Sequence, residues 1–222
     1  MNPLQDAGVS PHIIALLDRL HKLSLDQEAN LEITALPHDA VHAAARDAFI
    51  ALDQGKCYFV YQLARATNAK TIVEAGTSFG VSTIYLSLAA NANVESSGGQ
   101  CAVIATEHEP SKAAQARKYW NEVGNSITSN IDLRIGDLLQ TLKEDVPQVD
   151  LVLIDIWAPM TLPTLKLLQP RLRHGAVIII DNTISSASRY KDLLQYLRAD
   201  GSGFLNLTVP YSKGLEMCIY SP

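Results

Sequence analysis

Two short runs of this chain have no polar side chain at all. Leu151-Val-Leu-Ile154 follows Asp150, and Ala176-Val-Ile-Ile-Ile180 follows Gly175. A strand with one wet face alternates apolar and polar residues. A brief unbroken run rich in Val and Ile is instead a strand buried on both faces. Such strands belong to parallel sheets, whose crossover helices cover both sides.

The surrounding pattern fits that reading. Strand-type runs are expected at 71–75, 101–106, 131–135, 150–154, 176–180, 204–209 and 215–220. Helical patterns fall between them at 80–91, 111–123, 137–143, 160–169 and 185–199, with a polar Gly- and Ser-bearing loop over 91–100. The segment Pro210–Gly214 is too short for a parallel crossover, so one terminal strand must run antiparallel. The expected fold is α/β: a doubly wound, mainly parallel seven-stranded sheet with the last strand antiparallel and an N-terminal helical extension. Three helices make up that extension, at 10–23, 38–52 and 57–66. Ser10 and Pro11 open the first, polar Ser24–Asn30 follows it, and Gln54-Gly55 breaks the second from the third. Residues 1–222 read as one domain, with 1–68 forming helices that cover the sheet's C-terminal edge as a lid and 69–222 forming the core.

Composition narrows the function. Of 222 residues, 47% are hydrophobic and 18% charged, the balance of a globular chain. A net charge of -5 gives no electrostatic case for nucleic acid or an anionic membrane, leaving a small-molecule substrate. No apolar run approaches the roughly 18 residues of a membrane span, and Met1–Ser10 lacks the pattern of a signal peptide. Cys57, Cys101 and Cys218 form no CxxC pair, so neither zinc nor a disulfide framework is indicated. The expected location is the reducing cytoplasm.

In an open α/β sheet, ligands bind beyond the strands' C-terminal ends. Five strands here end in polar groups: Glu74, Glu107, Gly136-Asp137, Asp155 and Asp181-Asn182. Thr71–Ala75, the turn at Gly76 and Gly80 and the helical run from Val81 form a βα unit that can seat a nucleotide-like ligand. Glu74 would repel phosphate but can meet an ammonium or hydroxyl, which favours a zwitterionic cofactor. The spacing Gly76-x-x-x-Gly80 fits neither the dinucleotide fingerprint nor the P-loop. Glu107 has two oxygens to match vicinal ribose hydroxyls; its ordinary alternative is an acid at a helix N-terminus. Gly136-Asp137 either meets an adenine amine or caps the next helix.

Val73-Glu-Ala-Gly-Thr-Ser-Phe-Gly-Val-Ser82 resembles the first motif of class I S-adenosylmethionine-dependent methyltransferases, which have a Rossmann-like fold, and Ile104-Ala-Thr-Glu107 resembles their ribose-binding acid. Val149-Asp-Leu-Val-Leu-Ile-Asp155, Gly175-Ala-Val-Ile-Ile-Ile-Asp-Asn182 and Val209-Pro-Tyr-Ser-Lys-Gly-Leu-Glu216 are similar to motifs of the cation-dependent catechol and caffeoyl-CoA O-methyltransferases. The resemblance spans about residues 50–220. It implies that Glu74 and Ser82 hold the methionine end of S-adenosylmethionine and that Gly76 and Thr77 let the backbone approach. It further implies that Glu107 binds the ribose, Gly136 and Asp137 flank the adenine, and Leu52 adds a backbone contact. Asp155, Asp181 and Asn182 would ligate Mg²⁺ or a similar divalent cation, with Asp155 also touching the cofactor and serving in catalysis. Asp155 and Asp181 close strands that should be neighbours, about 4.8 Å apart, and hard oxygen ligands suit Mg²⁺. The alternative is a turn and helix cap at Asp181-Asn182, with Asp155 a cofactor contact alone.

The implied acceptor is a small phenol or catechol, walled by Trp157 and Tyr211; Trp120 reads as packing. The family also implies a homodimer, with the N-terminal helices as interface. One departure stands out. Such enzymes usually carry a basic lysine three residues after the strand-four aspartate, where this chain has Ala158. Lys166, Lys213, His38 and His42 are the conceivable substitutes. Two other readings stay open: a metal-independent methyltransferase acting on another oxygen or a nitrogen, and, because of Ala158, a cofactor-binding protein without turnover.

Overall fold

The computed structural model describes residues 2–30 and 48–222. Its strands are β1 (Thr71–Ala75), β2 (Ala102–Glu107), β3 (Ile131–Ile135), β4 (Val149–Ile154), β5 (Leu172–Asp181), β6 (Phe204–Val209) and β7 (Leu215–Tyr220). They form one seven-stranded sheet in the order β3-β2-β1-β4-β5-β7-β6. The pairs among β1 to β5 are all parallel, whereas β7 runs antiparallel to both β5 and β6. This is the expected doubly wound, Rossmann-like arrangement. The chain builds outward from β1 to β3 and then returns to place β4 on the other side of β1. The loops leaving β1 and β4 therefore diverge and open a crevice at their C-terminal ends.

The helices are α1 (Pro3–Asp6), α2 (Pro11–Asn30), α3 (Gln54–Ala66), α4 (Val81–Ser97), α5 (Pro110–Val123), α6 (Asn125–Thr128), α7 (Leu138–Thr141), α8 (Ala158–Leu168) and α9 (Lys191–Arg198). Alternate strand residues feed two cores. Ile72, Leu151, Leu153, Val177 and Ile179 pack towards α2, α3, α4 and α5, joined by Leu16, Val60, Ile84 and Trp120. Val73, Val152, Ile154, Ile178 and Ile180 pack towards α8 and α9, against Leu165, Leu168, Leu193 and Leu197. Each fully buried aliphatic side chain stabilises the fold by about 1.5–3 kcal/mol, so the two apolar strands anchor both layers at once. Among the described residues, no helix is long and apolar enough to cross a membrane.

Five expectations for the helices change. The first helix does not stop at residue 23 but runs through Ser24–Asn30. Its polar residues are used: Ser24 Oγ accepts from Ala51 N at 2.9 Å, and Gln27 Oε1 accepts from Phe49 N at 2.9 Å. Of the helix expected at 38–52, residues 38–47 lie outside the described residues, and 48–52 are not helical. Gln54-Gly55 is no breaker; it opens α3, because the Asp53 carboxylate caps Gly55 N at 2.9 Å. α4 continues through 91–97, where a loop was expected, and ends at Gly98. Asn93 spans to the carbonyls of Ala64 and Ala69 at 2.9 and 2.7 Å, which turns a helix-averse residue into a tie between α4 and the chain before β1. Finally, the expected helix 185–199 shortens to α9. The preceding segment is pulled against the β6–β7 turn, with Ile184 N and Ser185 N both donating to Lys213 O.

Candidate active site

The site is built on the turn between β1 and α4. Gly76 has φ +97°, and a Cβ there would run into the Asp155 carbonyl. Gly80 has φ +77°, and its missing Cβ leaves room for the Trp120 indole. Both positions thus combine a left-handed backbone with a close approach that only glycine permits. Ser78, between them, also has a positive φ, 50°. It is secured at both polar groups: its N–H donates to Glu107 Oε2 at 2.7 Å and its hydroxyl to Ile50 O at 3.1 Å.

Glu74 lies fully buried beneath this turn. Its carboxylate accepts hydroxyls from Thr77 at 3.0 Å, Ser82 at 2.5 Å and Thr83 at 2.5 Å. Burial pushes its pKa up, and the three donors oppose that shift. Glu74, Thr77 and Ser82 are thus brought together, but their polar side-chain atoms meet one another in the interior. Leu52 is likewise a buried core side chain.

Beyond the turn lies a cavity of about 620 Å³, lined in part by Gly76, Thr106, Glu107, Gly136, Asp137, Asp155 and Trp157. That volume suits one nucleoside-sized ligand. Glu107 lines this cavity, and its carboxylate braces two backbone N–H groups, those of Ser78 and Glu109, at 2.7 and 2.8 Å. Asp137 lines the same cavity and caps α7, accepting Leu139 N at 2.9 Å, the helix-cap alternative at this position. Ile50, Ser78, Thr106, His108, Lys112 and Met160 also line it and were not singled out from the sequence. Ser78 was the legible one, since it lies inside the glycine turn.

At the far wall, Asp155 N donates to Ala75 O at 2.9 Å, closing the crevice floor between β1 and β4. Ile154 pairs with Ile180, so Asp155 and Asp181 stand at adjacent strand ends. Burial and the nearby Asp181 charge raise the Asp155 carboxyl to about 7, with Lys56 opposing. Burial also raises Asp181, against the hydrogen bond and charge of Lys56. Lys56, on the first turn of α3, makes a buried ion pair with Asp181 that sequence inspection does not reveal. Asn182 follows in a left-handed conformation, φ 63°, with its N–H on Gly214 O at 3.1 Å.

The donor set can be tested for a cation. Among the described residues there is no group of three or more His, Cys, Asp or Glu that could hold a metal. The expected set contains two carboxylates and an amide, however, and two buried carboxylates share a single ammonium. Burial raises both carboxyls, and at Asp155 the neighbouring Asp181 charge adds to that rise. Hard oxygen donors with uncompensated negative charge fit a divalent cation.

The acceptor-side residues separate. Trp157 lines the cavity, with the Arg189 guanidinium over its ring at 5.4 Å. Tyr211 instead packs beside Phe59, ring centroids 5.7 Å apart. Ala158 begins α8 and is buried. Lys166 is turned over the Tyr196 ring at 4.9 Å, and Lys213 pairs with Glu28 at 3.4 Å. His38 and His42 lie outside the described residues. Trp120 packs under the glycine turn, as its place on the helix suggested.

Comparison with known proteins agrees with this geometry. A methyltransferase-domain family model matches residues 73–183. The chain is 31% identical over 169 residues to a catechol O-methyltransferase of Mycobacterium tuberculosis, covering 72% of each chain. It is 32% identical over 136 residues to a catechol O-methyltransferase of Niastella koreensis, covering 60% of this chain and 57% of that one. In structure it resembles a Bacillus cereus O-methyltransferase in complex with SAH, with a TM-score of 0.67 and 20% identity over 91% of this chain and all of the other. With the glycine turn, the acidic strand ends and the doubly wound sheet already in place, these matches establish that the chain belongs to the methyltransferase-domain family and is a class I S-adenosylmethionine-dependent O-methyltransferase.

Proposed function

We propose that this enzyme methylates a hydroxyl of a small phenolic, catechol-like acceptor with the help of a divalent cation. The observation that carries this reading is the position of Asp155. It belongs both to the wall of the cavity and to the carboxylate pair at the ends of β4 and β5. The names of the curated relatives, both catechol O-methyltransferases, support the acceptor class.

S-adenosylmethionine, when bound, supplies an electrophilic methyl group. The chain's residues would do the rest. Glu107 would take the ribose hydroxyls, Gly136 and Asp137 would border the adenine, and the backbone at Gly76 and Thr77 would lie against the methionine end. Glu74 and Ser82 would hold that end from below by keeping the turn in shape, and Leu52 would add a backbone contact. Asp155, Asp181 and Asn182 would hold Mg²⁺ or a similar cation, which lowers the pKa of a bound phenol. Trp157 would set the plane of the acceptor ring, with Tyr211 further out. Alignment and electrostatic stabilisation would then supply most of the rate. With Ala158 in place of a lysine and Lys166 turned away, removal of the acceptor proton falls to the Asp155–Asp181 end of the cavity.

The test is a screen of catechols and simple phenols, with S-adenosylmethionine and either Mg²⁺ or EDTA, read as methylated product by mass spectrometry. Methylation of a catechol that EDTA abolishes is expected. Undiminished activity in EDTA would remove the cation from the reading. Methylation confined to non-phenolic acceptors would remove the substrate class. The ion pair between Lys56 and Asp181 favours a second reading, in which transfer proceeds without metal.

A further inference from the structure

We propose that Lys56 is a resident counter-ion of the Asp155–Asp181 pair, and that a divalent cation binds this enzyme by competing with its ammonium for the Asp181 carboxylate. The inference rests on the metal-assisted reading of the site and concerns what regulates that site.

Lys56 belongs to α3, whereas Asp181 ends β5, 125 residues later. The lysine side chain is only 2% exposed and that of Asp181 8%. Lysine is almost never buried this deeply unless it is paired, and here its ammonium donates to Asp181 Oδ1. The ammonium therefore sits on the carboxylate that a metal at this site would share. A divalent cation on either oxygen of this carboxylate would stand close to the like charge of the ammonium, so the two compete electrostatically. With both carboxyls ionised, the two carboxylates and Lys56 carry a single net negative charge, while Lys213 adds positive and Glu74 negative field around them. A divalent ion added beside Lys56 would give a net positive cluster, while without Lys56 the same ion would give a neutral one.

The structure also offers the ammonium an alternative partner. Lys56 Nζ lies 3.4 Å from Gly214 O, the carbonyl that also accepts Asn182 N at 3.1 Å. Displaced from Asp181, Lys56 stays hydrogen-bonded to the β6–β7 turn. That carbonyl links the competitor to Asn182, the third expected ligand. Metal entry is thus coupled to the position of α3 and of the 210–214 turn. In the metal-free enzyme, Lys56 supplies the positive charge that keeps the two carboxylates from driving the strand ends apart.

The experiment uses full-length protein and Mn²⁺ as the probe, with free Mn²⁺ followed by electron paramagnetic resonance. Wild type is compared with Lys56→Met, Lys56→Gln and Lys56→Arg, and S-adenosylmethionine binding by calorimetry reports folding. Lys56→Met and Lys56→Gln should bind Mn²⁺ about ten-fold tighter or more, a modest share of the repulsion between neighbouring cations at this depth. Lys56→Arg, which keeps the charge, should stay near wild type. In EDTA, Lys56→Met should melt below wild type, and Mn²⁺ should restore it. Lys56→Gln keeps a donor to Asp181 and decides the matter if Lys56→Met does not fold. Neutral variants that bind Mn²⁺ no tighter than wild type would overturn the competition while leaving the metal reading standing. Absence of Mn²⁺ binding in all four proteins would overturn both.

Discussion

The indole N–H of Trp120 donates to the carbonyl of Gly80 at 2.9 Å, joining α5 to the first motif's turn across 40 residues of sequence. Gly80 has the space for it: a Cβ at that position would stand 2.5 Å from the indole nitrogen. The left-handed glycine and the buried tryptophan form one structural unit beneath the cofactor turn. Gly80→Ala should therefore cost about 1–3 kcal/mol through backbone strain and the clash. Trp120→Phe should cost about 1 kcal/mol for the hydrogen bond alone, and more if the smaller ring leaves a void. The double variant should lose less than the sum, because the phenyl ring relieves the clash. Urea unfolding of the four proteins measures the coupling; strict additivity would show that the two residues do not act together.

Glu74 is expected to be a brace for the turn. Glu74→Ala would strand the hydroxyls of Thr77, Ser82 and Thr83 in the interior. Each unsatisfied group costs about 1–3 kcal/mol, so a loss of about 3 kcal/mol or more is expected. Glu74→Gln keeps one acceptor and one amide that can meet a hydroxyl, and should lose clearly less. Equal losses in denaturant midpoint for the two variants would contradict the bracing role.

Glu107 should affect both cofactor affinity and stability. Its oxygens accept from Ser78 N and Glu109 N, and the same residue lines the cavity. Glu107→Gln should weaken S-adenosylmethionine binding about ten-fold or more, as expected when a charge-assisted contact is lost. The amide offers only one accepting oxygen to the two N–H groups, so a loss of about 1–3 kcal/mol of stability should accompany it. Calorimetric titration of the purified variant checks this, and an unchanged dissociation constant would restrict Glu107 to bracing the turn.

His21 should make the fold acid-sensitive. It is buried, its ring nitrogen lies 3.0 Å from Tyr85 Oη, and burial lowers its pKa from 6.5 to about 4. Between those values the unfolded chain binds the proton and the folded one does not. The contribution of neutral His21 should therefore be full above pH 6.5 and fall as pH drops towards 4, by roughly 3 kcal/mol at most, against the opposite contribution of the raised Asp155 carboxyl. His21→Gln can keep a bond to Tyr85 but cannot titrate, so its stability should vary less over that window. An identical pH slope in the variant, by thermal melting, would assign the effect to other groups.

The parts of this protein legible in advance are those set by local chemistry. The aliphatic runs at 151–154 and 176–180 announced strands covered on both faces, and β4 and β5 sit at the middle of the sheet. The short segment 210–214 required an antiparallel strand, which is β7. Glycine at 76 and 80 reported a turn that other residues could not make. The acidic strand ends could be ordered in advance because a parallel sheet directs all its C-terminal ends to one side, and Gly76, Glu107, Asp137 and Asp155 do line one cavity.

What stayed hidden depended on partners far away in sequence. Ser24, Gln27 and Asn93 fall in stretches expected to lie outside helices, yet each is in a helix with its side chain bonded to a distant backbone group. The Ser82 hydroxyl looked available to a ligand, and folding commits it to Glu74. Lys56 gave no signal at all. In sequence it is a cation on the first turn of a helix, where solvent is the default surrounding. Its burial against Asp181 exists only because α3 crosses the end of β5. Propensity and periodicity depend on neighbours a few residues away and suffice for strands, turns and the sheet. The charge balance of a buried carboxylate pair depends on which distant ammonium shares its low-dielectric surroundings, and that follows from packing alone.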